Sequence, residues 1–235
     1  MSRMKLEKKR YESPIGDVEL WVPPLGGMED VISEVVTGDC YRLRALKSQN
    51  VDLRYVIDIG AHIGTFAVMV KRLWPDAKLL CFEPDPDLVE ACYANAPFAT
   101  TMRSSVRYDG RNKLFISEHR AGNCMYDPTV NFDDDIPKNY IPIPVPTTKL
   151  EPFITSRVDL IKLDCEGSEF DILSTIHRDC IPHIKRICGE YHHIAGFTFI
   201  EQIIKLRFPH LTCVCGDFDL TKTIGMFFCD EHPNR

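Results

Sequence analysis

The run YVIDIGAHIG at residues 55–64 constrains the fold more than any other part of this sequence. Its first five residues are β-branched or aromatic except Asp58, a composition that suits a buried strand. Gly60 and Gly64 then bracket a sharp turn. From Ile63 onward Phe66, Ala67, Val70 and Leu73 recur at helical spacing until Pro75 ends the pattern. A strand, a glycine turn and a helix in direct succession open a parallel-sheet unit, because parallel strands need a crossover connection.

The alternation continues along the chain. KLLCFE reads as a second strand, DPDLVEACYAN as a helix, and TTMRSSVRY as a weaker third strand leading to a hairpin over residues 109–117. After an Asp- and Pro-rich loop at 131–146, VDLIKLD is a buried strand and SEFDILSTI a helix with Ser168 as its N-cap. RICGEY, LTCVC and TIGMFFCD complete seven strands, with FTFIEQIIKLRF as a helix and GDFDLTK as the last connection. The fold class is therefore α/β, a mostly parallel sheet covered by helices on both faces. Residues 1–50 lack this alternation and carry a helical stretch from Met28 to Leu46, so they are expected to form an N-terminal cap over the sheet edge or site. Residues 51–235 form the main domain. Lys5, Lys8, Lys9 and Arg10 are expected to belong to a frayed end.

Composition excludes several partners. The 28 basic and 34 acidic residues leave a net charge of −6, which repels nucleic acid and anionic lipid. No apolar run approaches the roughly 20 residues that span a bilayer, and MSRMKLEKKR has no signal-like segment, so a soluble, cytoplasmic protein without membrane contact is expected. Among the ten cysteines, Cys81, Cys92, Cys165 and Cys229 lie among apolar neighbours, as reduced buried thiols do. Cys213 and Cys215 are one residue apart and no CxxC pair exists, so no cysteine metal site is expected.

Ligands of such sheets bind beyond the carboxyl ends of the strands. There the turn Asp58–Gly64 has GxxxG where a dinucleotide fingerprint has GxGxxG, with His62 in place of the middle glycine. Gly60 would let a ligand approach the backbone, and Gly64 would let the helix pack on the strand. Asp58 beside the turn suits a cationic ligand better than two phosphates. Glu83, ending the second strand, can accept both hydroxyls of a ribose. Together these features describe a site for S-adenosylmethionine.

The blocks VIDIGAHIGTF and LLCFEPDPD resemble those of class I S-adenosylmethionine-dependent methyltransferases. VDLIKLDCEGSEFDIL, Val158 to Leu173, resembles the KxDxEGxE signature of the FkbM family through Lys162, Asp164, Glu166, Gly167 and Glu169. This resemblance implies a Rossmann-like sheet with an antiparallel last strand and methyl transfer to a hydroxyl oxygen of a small molecule, sugar or glycan. It also implies that Asp58, Gly60 and Gly64 line the methionine part of the cofactor and that Glu83 holds its ribose. Many such enzymes carry an acidic residue after the third strand for the adenine; here Ser104 and Ser105 stand in that region.

A hydroxyl acceptor needs its proton removed by a nearby base. Asp164, ending a buried strand, is the candidate for contact with the acceptor or the sulfonium, with Glu166 in the following loop. His192, after the fifth strand, is a candidate base, and His62 a candidate contact to cofactor or acceptor. Lys162 is expected to pair with Glu166 or Glu190, or to act in the site, and Glu169 to face its helix dipole. Asp164, Glu166 and His192 lack a spacing diagnostic of a metal site, so no metal is expected. N-methyl transfer, a non-catalytic S-adenosylmethionine-binding module and a nicotinamide-dependent oxidoreductase remain as alternatives, the last disfavoured by GxxxG.

Overall fold

A computed structural model of the protein describes residues 4–108, 113–116, 140–192, 196–216 and 224–231. His193, most of the 131–146 loop, the tip of the predicted hairpin and most of GDFDLTK lie outside these residues.

The seven strands foreseen in the sequence form one sheet. They are β3 (Tyr55–Ile59), β4 (Lys78–Phe82), β5 (Thr100–Met102), β10 (Leu160–Leu163), β11 (Arg186–His192), β12 (Leu211–Cys215) and β13 (Ile224–Glu231). Their order is β12-β13-β11-β10-β3-β4-β5. All pairings are parallel except those of β13, which runs antiparallel to both β11 and β12. The chain moves outward from β3 through β4 to β5, then crosses back to place β10 on the other side of β3. A crevice opens where the strand order reverses, at the carboxyl ends of β3 and β10.

Alternation along the central strands divides the core in two. Val56, Leu79, Cys81 and Leu160 face one layer, while Ile57, Ile59, Leu80, Ile161 and Leu163 face the other. The first layer is covered by α3 (Thr65–Leu73), α4 (Pro86–Asn95) and the N-terminal segment. The second is covered by α5 (Glu169–Thr175) and α6 (Gly196–Arg207). Asp85 starts α4 as sequence chemistry requires, its carboxylate accepting from Asp87 N at 2.7 Å with Pro86 at the first helical position.

The N-terminal segment differs from expectation. Residues Glu7–Tyr11 (β1) pair antiparallel with Val18–Val22 (β2), so Lys8, Lys9 and Arg10 lie in a strand rather than a frayed end. Lys8, Lys9 and Arg10 each meet an acid: Glu19, Glu29 and Asp17. The predicted Met28–Leu46 helix is two helices, α1 (Met28–Val36) and α2 (Leu43–Ser48), because Asp39 and Arg42 between them adopt left-handed backbone with φ 55° and 56°. The segment shares one apolar cluster with the sheet through Val18, Leu20, Ile32 and Leu43.

The third strand is also interrupted. After β5, Ser105–Val106 (β6) leave the main sheet and pair with Thr147–Thr148 (β9). Lys113–Ile116 (β7) pairs not within a local hairpin but with Ile141–Pro144 (β8), inside the segment expected to be a loop. Among the described residues no helix is long and apolar enough to cross a membrane.

Candidate active site

A cavity of about 640 Å³ opens at the crevice between β3 and β10, lined on one side by Gly60, His62, Glu83, Ser104 and Ser105. Asp164, Glu166, Glu190 and His192 line the other, with Glu34 and Tyr41 from the N-terminal segment.

The glycine turn is shaped by backbone crowding. Gly60 has φ 78°, and a Cβ there would stand 1.7 Å from the Asp164 carbonyl oxygen. The sequence predicts that Gly60 lets the chain turn sharply and a ligand approach; the neighbouring strand end by itself already requires glycine here, and the residue also lines the cavity. Gly64, at φ 84°, would place a Cβ 3.1 Å from Cys92 Sγ, so it admits α4 against α3 rather than packing on the strand.

Asp58 does not face the cavity. It is fully buried, and its register partner on β10 is Lys162, whose Nζ lies 3.2 Å from Asp58 Oδ1. The same ammonium lies 3.7 Å from Asp164 Oδ2 and donates to the Gly60 carbonyl. Lys162 thus pairs with Asp58 and Asp164, not with Glu166 or Glu190, because only the β3–β10 register brings those groups together. Burial opposes its charge, but the two carboxylates outweigh burial and hold the ammonium above lysine's ordinary value.

Glu83 Oε2 accepts from His62 N at 2.7 Å and Oε1 from Asp85 N at 2.8 Å, so the carboxylate ties the turn to the start of α4. Burial pushes this carboxyl up to about 8 against the pull of the two amides. Each oxygen keeps a second lone pair, and the group still lines the cavity. The His62 ring nitrogens and the Ser105 hydroxyl make no hydrogen bond among the described residues. Burial holds His62 neutral, at about 4. The Ser104 hydroxyl is spent on the Ser105 and Pro146 carbonyls, at 3.0 and 3.2 Å.

At the end of β10 the loop 164–168 doubles back through left-handed Glu166 and Gly167, at φ 52° and 96°. Glu169 holds that loop and does more than face a dipole: it is fully buried and accepts from Cys165 N at 2.8 Å and Gly167 N at 3.0 Å. Ser168 makes no capping bond; its Oγ accepts instead from the buried Arg107 guanidinium at 2.9 Å.

His192 ends β11 amid three carboxylates. Its Nδ1 lies 3.3 Å from Glu169 Oε1, and its Nε2 lies 3.4 and 3.5 Å from Glu166 and Glu190. Burial opposes protonation, but these acids prevail and raise the imidazole well above its ordinary value. A proton held more tightly than in a free histidine weighs against His192 as the base expected from the sequence. Asp164, Glu190 and His192 place ligand-capable atoms within 4.8 Å of one another. Asp164 itself is held below the usual carboxylate range: burial would raise it, and Lys162, His192 and the Tyr41 hydroxyl outweigh burial. Burial pushes Glu166 up to about 8, the imidazolium opposing.

The Methyltransferase FkbM domain matches residues 58–214, more than half of the chain. The protein belongs to the FkbM methyltransferase family. It is similar to "Methyltransferase sdnD" of Sordaria araneosa, at 24% identity over 82% of each chain. It is also similar to "2-O-methyltransferase NoeI" of Sinorhizobium fredii, at 29% identity over 51% of this chain and 56% of that one. Among solved structures, a precorrin-6y C5,15-methyltransferase from Geobacter metallireducens aligns over 81% of this chain and 87% of its own, at 11% identity and a TM-score of 0.44.

The sequence brought Asp164, Glu166, Glu83 and His62 to one cavity, as its strand ends require. It missed Tyr41 and Glu34, whose segment has no motif, and the structural part of Glu169, for which burial was the missing signal.

Proposed function

We propose that this methyltransferase moves the methyl group of S-adenosylmethionine to a hydroxyl oxygen of a small molecule, sugar or glycan. The observation that carries this reading is the Asp164 carboxylate, held ionised at the strand-order reversal in the same cavity as Glu83. A sulfonium is a cation, and a fixed carboxylate beside its position attracts it. The bound donor would supply an electrophilic methyl carbon, and the remaining chemistry falls to the chain.

The residues fit that donor. Glu83 has lone pairs for ribose hydroxyls, His62 has two orphaned ring nitrogens for the amino-acid end, and Ser105 has a free hydroxyl on the side assigned to the adenine. Asp58, Gly60 and Gly64 act indirectly: Asp58 anchors Lys162, and the glycines give the turn its path. Asp164 would face the sulfonium or the acceptor oxygen. Glu166, raised into the range of neutral pH, is the better proton acceptor, and the His192 imidazolium orients it. The printed name of the Sinorhizobium relative, a 2-O-methyltransferase, supports an oxygen acceptor. Residues 1–50 would cap the acceptor side, since α1 brings Glu34 to the cavity.

Calorimetric titration with S-adenosylhomocysteine and with NAD tests the donor. Binding of the first alone is expected, weakened about two- to tenfold by Glu83→Gln, because a hydrogen bond to a neutral group is worth about 0.5–1.5 kcal/mol net. Tight NAD binding without a response to S-adenosylhomocysteine would overturn the reading. A screen of hydroxylated metabolites and glycans with labelled methyl donor then identifies the acceptor, and Asp164→Asn should lower both its turnover and the affinity for the cationic donor.

A further inference from the structure

We propose that Tyr41 is a positioning residue of the methyl-transfer site, its hydroxyl fixing the Asp164 carboxylate, so that the segment ahead of the family-matched region completes the catalytic machinery. This rests on the donor reading above and adds a residue to it. The family match begins at residue 58, and Tyr41 lies before it.

The geometry is direct. Tyr41 is 5% exposed, and its hydroxyl donates to Asp164 Oδ2 at 2.5 Å. Lys162 also approaches Oδ2, so both neighbours take the same oxygen, and Oδ1 makes no hydrogen bond among the described residues. A carboxylate gripped at one oxygen presents the other in a fixed direction.

The turn that delivers the phenol is itself held. Left-handed Asp39 and Arg42 flank it, and the Asp39 carboxylate accepts from Leu43 N at 2.8 Å and Arg44 N at 3.1 Å. The Arg42 guanidinium lies 4.0 Å above the Phe228 ring of β13, which pins the turn to the sheet. Tyr41 meets Phe66 edge to face at 5.2 Å. These contacts fix the ring, and a phenylalanine would keep them. The hydroxyl serves Asp164.

Asp164 is surrounded by groups of both signs. Lys162 of its own strand and His192 of β11 favour its charge, while His62 of the glycine turn stands neutral nearby. Opposing it are Asp58 of β3, Glu34 of α1, and Glu166 in the loop. Glu190 of β11 also lies close, and Cys40 and Cys165 carry thiols whose ionisation is suppressed. Tyr41 is the neutral donor in this set. Burial and the adjacent carboxylate keep its own proton in place, so it donates throughout the working pH range.

Tyr41→Phe tests the proposal, with Tyr55→Phe as a control whose hydroxyl meets the Phe153 carbonyl at 3.2 Å instead. Carbon-13 carboxyl NMR of the full chain, with Asp164→Asn to assign the signal, reads the titration of Asp164. Calorimetry at pH 5 and pH 7.5 reads the affinities for S-adenosylmethionine and S-adenosylhomocysteine. In Tyr41→Phe the Asp164 titration should rise by about one to two pH units. Its preference for the sulfonium over the neutral thioether should fall about two- to fivefold at pH 5, and the control should match wild type in both. An unchanged titration and preference in Tyr41→Phe would overturn the proposal. If wild type bound neither nucleoside, the donor reading would fall, and the NMR shift alone would decide whether Tyr41 governs Asp164.

Discussion

His192 Nδ1 stands 3.3 Å from Glu169 Oε1, so the last residue of β11 is locked to the carboxylate that folds the loop after β10. The contact joins two strand ends that share the cavity, and the carboxylate favours a protonated ring.

This pairing has a pH signature. The imidazole is raised well above 6.5, so its contribution to stability is fully present below the unfolded value and is lost as pH rises through the folded one. Glu166, raised to about 8, has the same sign: the folded state holds its proton where the unfolded chain has released it. Stability should therefore fall as pH rises, from about 4.5 to about 8 through Glu166 and from about 6.5 upward through His192. In melting curves across that range, the Tm advantage of wild type over His192→Asn should shrink as pH rises. A constant difference would mean that the ring is not protonated.

A second prediction concerns the buried pair beneath the turn. Lys162→Met leaves Asp58 as an uncompensated charge in the first core layer, which should cost about 3–5 kcal/mol in urea unfolding. Adding Asp58→Asn should recover part of that loss, because the charge no longer needs a partner. If the double variant were as unstable as the single one, the pair would not be the source of the cost.

The strands and the glycine turn were legible because their signals are local: β-branched runs, helical spacing and stops at Pro75. Asp164, Glu166 and Glu83 could be placed because strand ends at an order reversal are where side chains converge. Lys162 could not be paired correctly, since its partner follows from the register between strands about 100 residues apart. Tyr41 reaches Asp164 across 123 residues from a segment without periodicity. The break between α1 and α2 was hidden because Asp39 and Arg42, not glycines, take left-handed backbone there. Ile141–Pro144 carries two prolines, which argue against a strand, yet among the described residues β8 pairs only with β7, and prolines are tolerated in such edge positions.

Crowding at the turn gives a third prediction. Gly60→Ala would force a methyl group against the Asp164 carbonyl oxygen, and neither backbone can yield without moving β3 or β10. The variant should express insoluble or lose more than about 3 kcal/mol in urea unfolding. Gly64→Ala meets a cysteine side chain at 3.1 Å and keeps the backbone strain of positive φ, so a smaller loss is expected. Equal stability of Gly60→Ala and wild type would show that the strand ends leave room for a methyl group.

The last prediction follows the proton. Asp164 is held below the usual carboxylate range, which weakens it as a proton acceptor near neutrality, and the acids around His192 favour its protonated form. Glu166 at about 8, 3.4 Å from the imidazolium and lining the cavity, has the affinity a general base needs. Above that value it is ionised and can take the acceptor's proton; below it, the carboxyl is neutral and cannot. With an acceptor recovered from the labelled-methyl screen, kcat should climb about tenfold per pH unit below about 8 and level off above it. Glu166→Gln should abolish that climb and lower the plateau by about 10²–10⁴-fold, the usual worth of general-base catalysis, with donor affinity largely kept. A pH profile in Glu166→Gln that still rises through the same range would assign the proton to another group.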